Sequence, residues 1–155
     1  MARIVIPENG HVVNIVAPVD IDGGLASDIF SMKDASHVDI LIQLGVTGAS
    51  STITVEECDD FTPSNSTAIP FAYYAEETAG GDTLGERVNA SASGFATSAN
   101  DGIFYVISID AEELSEGFAN LRIVASDPGS ATFLSASAII TGLCYQEKTT
   151  RTQIV

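Results

Sequence analysis

The chain has 155 residues, and 45% of them are hydrophobic, so it can bury one substantial core. Six basic residues face 21 acidic ones, which gives a formal net charge of −15. A surface this acidic repels phosphate backbones and anionic lipids, so we expect no direct contact with nucleic acid or membrane. No leader peptide and no apolar run of roughly 20 residues is visible, which predicts synthesis in a cytoplasm.

Residues 1–24 are predicted to form an extended N-terminal arm. Two short apolar runs, at residues 4–6 and 12–16, are separated by turn-forming residues 7–10, and proline and glycine break the chain again further on. Apolar side chains on such an arm are candidates for contacts with a neighbouring subunit, namely Ile4, Ile6, Val13 and Ile15. In the alternative interpretation, the same residues form the first strand of the chain's own sandwich.

Residues 25–145 are predicted to form an all-β domain. Asp110 is the expected N-cap of a single helical turn at residues 111–114. Short segments of alternating or continuous apolar residues, separated by turn signals, predict an antiparallel β-sandwich or a jelly-roll-like barrel. The segments are residues 38–44, 52–58, 69–74, 87–95, 103–109, 121–125 and 133–145.

Residues 146–155 are predicted to form a short polar C-terminal tail. The tail carries Lys148 and Arg151, which are further candidates for an assembly interface in a chain with few basic residues. The two cysteines, Cys58 and Cys144, are expected to be small buried hydrophobic residues, because a cytoplasmic origin argues against a disulfide.

The polar residues do not form a pattern typical of an active site. Nothing in the sequence places a nucleophile and an orienting acid beside His11 or His37, so we predict no catalytic residue, no cofactor and no metal ion. The acidic residues at 56–60 are the densest carboxylate cluster. A hydrolytic pair and a calcium site are alternatives there, but we favour a solvated strand end, and we expect the strand to leave the core or to bulge near Glu57.

Four segments resemble small β-sandwich structural proteins of tailed bacteriophages, of the capsid-decoration or minor-capsid kind. These segments are FSMKDASHVDILI (30–42), GVTGA (45–49), TITVEECDDF (52–61) and YVISIDAEEL (105–114). The resemblance covers most of residues 25–145 and brings no catalytic residues with it. It implies a virion protein on the outer capsid surface, with the major capsid protein and copies of itself as partners.

Other classes of function remain open beside capsid decoration. A different virion position, in the tail, neck or a fibre, is the second hypothesis. A carbohydrate-binding β-module of a microbial surface is a third alternative, in which Phe71, Tyr73 and Tyr74 would form a stacking patch, although core packing is the default role of such aromatics.

Overall fold

The structure is a computed structural model that describes residues 5–78, 80–143 and 154. The predicted antiparallel β-sandwich is confirmed, since two antiparallel sheets pack together and neither closes into a barrel within the described residues. Inward-facing side chains alternate along the long strands and fill one core, as in the run from Val38 to Leu44. The core is mostly aliphatic, so burial of apolar surface is its main source of stability.

In the described part of the chain, the two sheets contain twelve strands, a one-turn helix α1 (Ile6–Asn9) precedes them, and a 3₁₀ turn (Ala111–Glu113) lies between the tenth strand and the eleventh. The strands are β1 (Gly10–Asp20), β2 (Leu25–Ala26), β3 (Phe30–Ser31), β4 (His37–Thr47), β5 (Thr52–Cys58), β6 (Ser66–Ile69), β7 (Phe71–Glu76), β8 (Val88–Ala90), β9 (Phe95–Ala96), β10 (Phe104–Asp110), β11 (Asn120–Ala125) and β12 (Thr132–Thr141). Sheet A has the order β1-β12-β4-β10-β7-β8. Sheet B has the order β2-β11-β5-β6, with β3 also pairing with β11 and β9 with β5.

This strand order is that of a jelly roll with one insertion. Strands β2 and β3 pair with one side of β11, and β6 and β9 pair with one side of β5, so each pair acts as a single interrupted strand. Without the β7–β8 hairpin, sheet A is β1-β12-β4-β10 and sheet B is β2/β3-β11-β5-β6/β9. The chain alternates between the sheets as it does in a double-sheet jelly roll.

Residues 70–94 interrupt the strand formed by β6 and β9. Strand β6 ends opposite Val55 of β5, and β9 begins opposite Ile53. The inserted segment therefore leaves only one residue of β5 between the two pairings. This corrects the predicted continuous strand at residues 69–74. Pro70 has no N–H for a sheet ladder, and the chain crosses there from sheet B to sheet A.

Residues 10–20 form the edge strand β1 of sheet A, which corrects their assignment to an arm. The strand pairs with β12 from Gly10 to Asp20 and contains two register shifts. Its inward side chains bury themselves in the chain's own core, because Val13 is only 5% exposed and Ile15 only 2%. The alternative interpretation, a first strand of the sandwich, therefore describes these residues.

Candidate functional site

A cluster of polar side chains on the outer face of sheet A is centred on His37. The first residue of β4, His37, lies opposite Asp110 at the end of β10, and Asp39 lies opposite Ser108. Nδ1 of His37 is 2.7 Å from Oδ1 of Asp110. Nε2 of the same ring is 3.2 Å from Oδ1 of Asp39 and 3.5 Å from Oγ of Ser108. Alternate residues of a strand share a face, so the register of β4 and β10 brings all four together.

The two carboxylates favour a protonated ring. Partial burial lowers the pKa of His37, but the hydrogen bonds to Asp110 and Asp39, together with their negative charges, outweigh it and raise the pKa above its usual value. Because each ring nitrogen faces a carboxylate, the arrangement fits an imidazolium that donates one hydrogen bond to each aspartate.

Sequence reasoning missed this cluster, since it placed no nucleophile or acid beside His37. Ser108, His37 and Asp110 stand in the order of a nucleophile, a base and an orienting acid. However, Asp39 holds Nε2 at a shorter distance than Ser108 does, so this nitrogen is not free to accept the hydroxyl proton. Ser108 also lies in β10, which pairs with β4 on one side and with β7 on the other. The backbone N–H groups there form the hydrogen bonds of the sheet, so they are not available to bind an oxyanion. We interpret the cluster as an ion-pair network.

The predicted acidic cluster at residues 56–60 is divided between the two sides of sheet B. Oε2 of Glu56 is 2.6 Å from a guanidinium nitrogen of Arg122 on the outer face. Glu57 points inward and is 2% exposed, and its carboxylate accepts the backbone N–H of Ser115 at 2.7 Å. The expected departure from the core, or bulge, near Glu57 is therefore wrong, because β5 pairs with β11 without a register shift through Cys58. A backbone donor satisfies the buried carboxylate in place of water.

Asp59 organises the loop that follows β5. Its carboxylate accepts hydrogen bonds from the Ser64 hydroxyl, at 2.9 Å, and from the side-chain amide of Asn65, at 3.0 Å. These bonds lower the pKa of Asp59 to about 2, since they stabilise the charged form. Within the described residues, no three His, Cys, Asp or Glu side chains converge as a metal site would require.

Two of the predicted interface residues are buried inside the chain itself. Ile6 lies in α1 and is 43% exposed, whereas Val13 and Ile15 are buried in the chain's own core and are not available to a neighbour. The others lie outside the described residues, namely Ile4, Lys148 and Arg151.

Cys58 is buried in β5, as predicted, and burial raises the pKa of its thiol. Cys144, for which burial was also predicted, lies outside the described residues. A buried thiol with a raised pKa is a poor nucleophile, so Cys58 acts as a packing residue.

The three aromatic residues of β7 do not form a stacking patch. The ring of Tyr73 lies nearly parallel to that of Phe95, with centroids 4.1 Å apart, and Phe71 meets the same ring edge-on at 6.1 Å. Phe95 in turn contacts the buried Tyr105. Core packing is therefore confirmed for Phe71 and Tyr73, and the carbohydrate-binding alternative loses two of its three rings. Tyr74 alone faces outward, opposite Val106.

The outer faces of the two sheets differ in chemistry. Sheet A presents half-buried, large apolar or aromatic side chains on four adjacent strands, which we call the apolar face: Leu41, Tyr74, Phe104, Val106 and Ile139. Sheet B presents mainly polar or charged side chains on its two central strands, with a single valine among them: Thr52, Thr54, Glu56, Arg122 and Val124. Apolar side chains gathered on one outer face of a sandwich are a common mark of an interaction surface.

No protein-family model matches the chain, and a search of curated proteins finds no match. Within its described part, the chain has no helix that is both long enough and apolar enough to cross a membrane.

Proposed function

We propose that this chain is a capsid-decoration protein, which binds the outer surface of a virus capsid and stabilises it. The observation that carries the proposal is the jelly-roll order of the two sheets. Double-sheet jelly rolls recur in viral capsid proteins, and this fold-level analogy links the architecture to the function. The apolar face of sheet A supports the proposal, because burying it against another protein removes apolar surface from water.

The charge of the chain supports an outward position on the particle. A formal charge of −15 repels a packaged genome, whereas the outer capsid surface carries no such penalty. The partners in this proposal are the major capsid protein and further copies of the chain, arranged around a capsid symmetry axis.

Copy number in purified virions tests the proposal. Particles produced from the genome that encodes the chain are analysed by quantitative mass spectrometry, with the major capsid protein as internal standard. Decoration predicts a number on the order of hundreds per particle, because each local axis of the shell provides a site. About a dozen copies or fewer would instead assign the chain to the tail, the neck or a fibre, since those structures occupy a single vertex.

A second measurement tests the stabilising role. Particles made with and without the chain are heated, and genome release is followed with an intercalating dye. Decoration predicts release at a lower temperature from the particles that lack the chain, because binding to the assembled shell alone stabilises that state. Identical release temperatures would contradict a stabilising role.

A further inference from the structure

We propose that the apolar face of sheet A is the docking surface of the chain, and that its partner presents an apolar centre with a rim of lysine and arginine side chains. This inference rests on the proposed function, in which the partner is the major capsid protein. It goes further by naming the surface and the chemistry that recognises it.

The centre of the docking surface is Val106. In the middle of β10, Val106 lies opposite Leu41 on one side and Tyr74 on the other. Phe104 stands two residues away on the same face, and Leu41 lies opposite Ser137 of β12. Four strands thus contribute to an uncharged centre on a continuous sheet. Uncharged, largely apolar centres of this kind are the parts of an interface from which water is excluded on binding.

Carboxylates stand at the margins of this face. Glu76 lies opposite Phe104 on one side, where its carboxylate also accepts the backbone N–H groups of Thr78 and Thr83. Asp39 and Asp110 lie at the other end of the same strands, so the outward charges of β4, β7 and β10 are three carboxylates and one imidazole. Among the outward side chains of β4, β7 and β10, His37 is the single cationic candidate, and its ring is already shared between the two aspartates. An anionic rim around an apolar centre is complementary to a partner with a cationic rim.

A second copy of the chain fits this face less well than a different protein does. Two copies paired through it would each contribute a charge of −15 and the same carboxylate margins. Like charges brought together at an interface cost free energy, so self-pairing here is disfavoured. Copies arranged around a capsid axis would have to meet through other surfaces.

A matched pair of substitutions tests the docking face. Val106→Lys places a charge at the centre of the apolar face, and Val124→Lys makes the same change at a half-buried outward position of sheet B. The probe is the purified capsid of the encoding virus, assembled without this chain, and binding is measured by co-sedimentation. We expect Val106→Lys to weaken binding at least about tenfold, since a buried unpaired charge is costly, and Val124→Lys to change it less than about twofold.

Thermal unfolding of both variants controls for folding. If Val106→Lys unfolds at a clearly lower temperature than Val124→Lys, then Val106→Thr, which keeps the branched shape, replaces it. Glu76→Gln tests the charged rim, because removing a rim carboxylate should make binding less sensitive to salt. Its thermal unfolding is measured as well, since the Glu76 carboxylate also accepts the backbone N–H groups of Thr78 and Thr83. Salt sensitivity equal to that of the wild type would overturn the cationic rim of the partner.

The other outcomes separate the docking face from the function. If the wild-type chain does not co-sediment with capsids, the proposed function fails. If the wild type binds and Val106→Lys binds equally well, the docking face is wrong while decoration stands. Equal losses in both folded variants would also overturn the face. A wild-type dimer in analytical ultracentrifugation that Val106→Lys converts to a monomer would identify a second copy as the occupant.

Discussion

Replacing Val13 with alanine is expected to destabilise the chain, whereas the same change at Val12 should leave stability nearly unchanged. The two valines are neighbours in β1, but Val13 is 5% exposed inside the core and Val12 is 52% exposed. Removing two carbon atoms from a packed core costs about 2 kcal/mol, through lost transfer energy and the cavity left behind. A surface exchange of this kind stays within about 0.5 kcal/mol.

Urea unfolding followed by far-ultraviolet circular dichroism measures the difference between the two variants. With a urea dependence of about 2 kcal/mol per molar, the loss at Val13 lowers the unfolding midpoint by about 1 M. Ile15→Ala, at a residue that is 2% exposed, should lower it further, since such exchanges cost about 2–5 kcal/mol. If residues 10–20 were an arm ordered only by a neighbour, none of these changes would move the midpoint of the isolated chain. Equal midpoints for the variants of Val12 and Val13 would therefore refute the assignment of β1 to the chain's own core.

Three further predictions follow from local geometry. The ion pairs of His37 contribute stability that is complete below the usual histidine pKa of 6.5 and is lost as pH rises through the raised pKa of His37 in the folded chain. Over that pH range, the unfolding free energy of the wild type should therefore fall more than the unfolding free energy of His37→Gln. Gly94→Ala should cost several times more than Gly117→Ala in denaturant unfolding, because both glycines have positive φ but only at Gly94 would a Cβ atom collide with a backbone carbonyl of β5. Asp59→Ala should accelerate hydrogen exchange at the Asn65 amide, and the wild-type Asp59 carboxyl should titrate at about 2 by NMR.

The strands that could be predicted from the sequence are those with one buried face. The predicted segments at residues 38–44 and 52–58 correspond to β4 (His37–Thr47) and β5 (Thr52–Cys58). In these strands buried and less buried residues alternate, so the hydrophobic residues recur with the period of two that predicts a strand. The single helical turn after Asp110 is likewise local, and the Glu113 carboxylate accepts the backbone N–H of Asp110 at 2.9 Å.

The candidate site could not be predicted because it depends on register between distant strands. His37 and Asp110 are 73 positions apart in the sequence and become neighbours only when β4 pairs with β10. A shift of one residue in that pairing would carry the side chains of one strand to the opposite face and dissolve the cluster. The burial of Glu57 likewise depends on the backbone N–H of Ser115, and no local sequence pattern predicts that this donor lies beside Glu57.

The insertion at residues 70–94 explains why sheet A, and not sheet B, has the larger outer surface. Without the hairpin, each sheet would have four strands, counting each interrupted strand once, and the outer face of sheet A would end at β10. Strand β7 covers that edge and adds Tyr74 beside Val106 and Glu76 beside Phe104. The same segment therefore completes the apolar centre and supplies part of its anionic rim. Glu76 also stabilises the insertion itself, because its carboxylate accepts the backbone N–H groups of Thr78 and Thr83. An insertion that adds an aromatic side chain to the apolar centre of one face is what we expect of a surface that binds a partner.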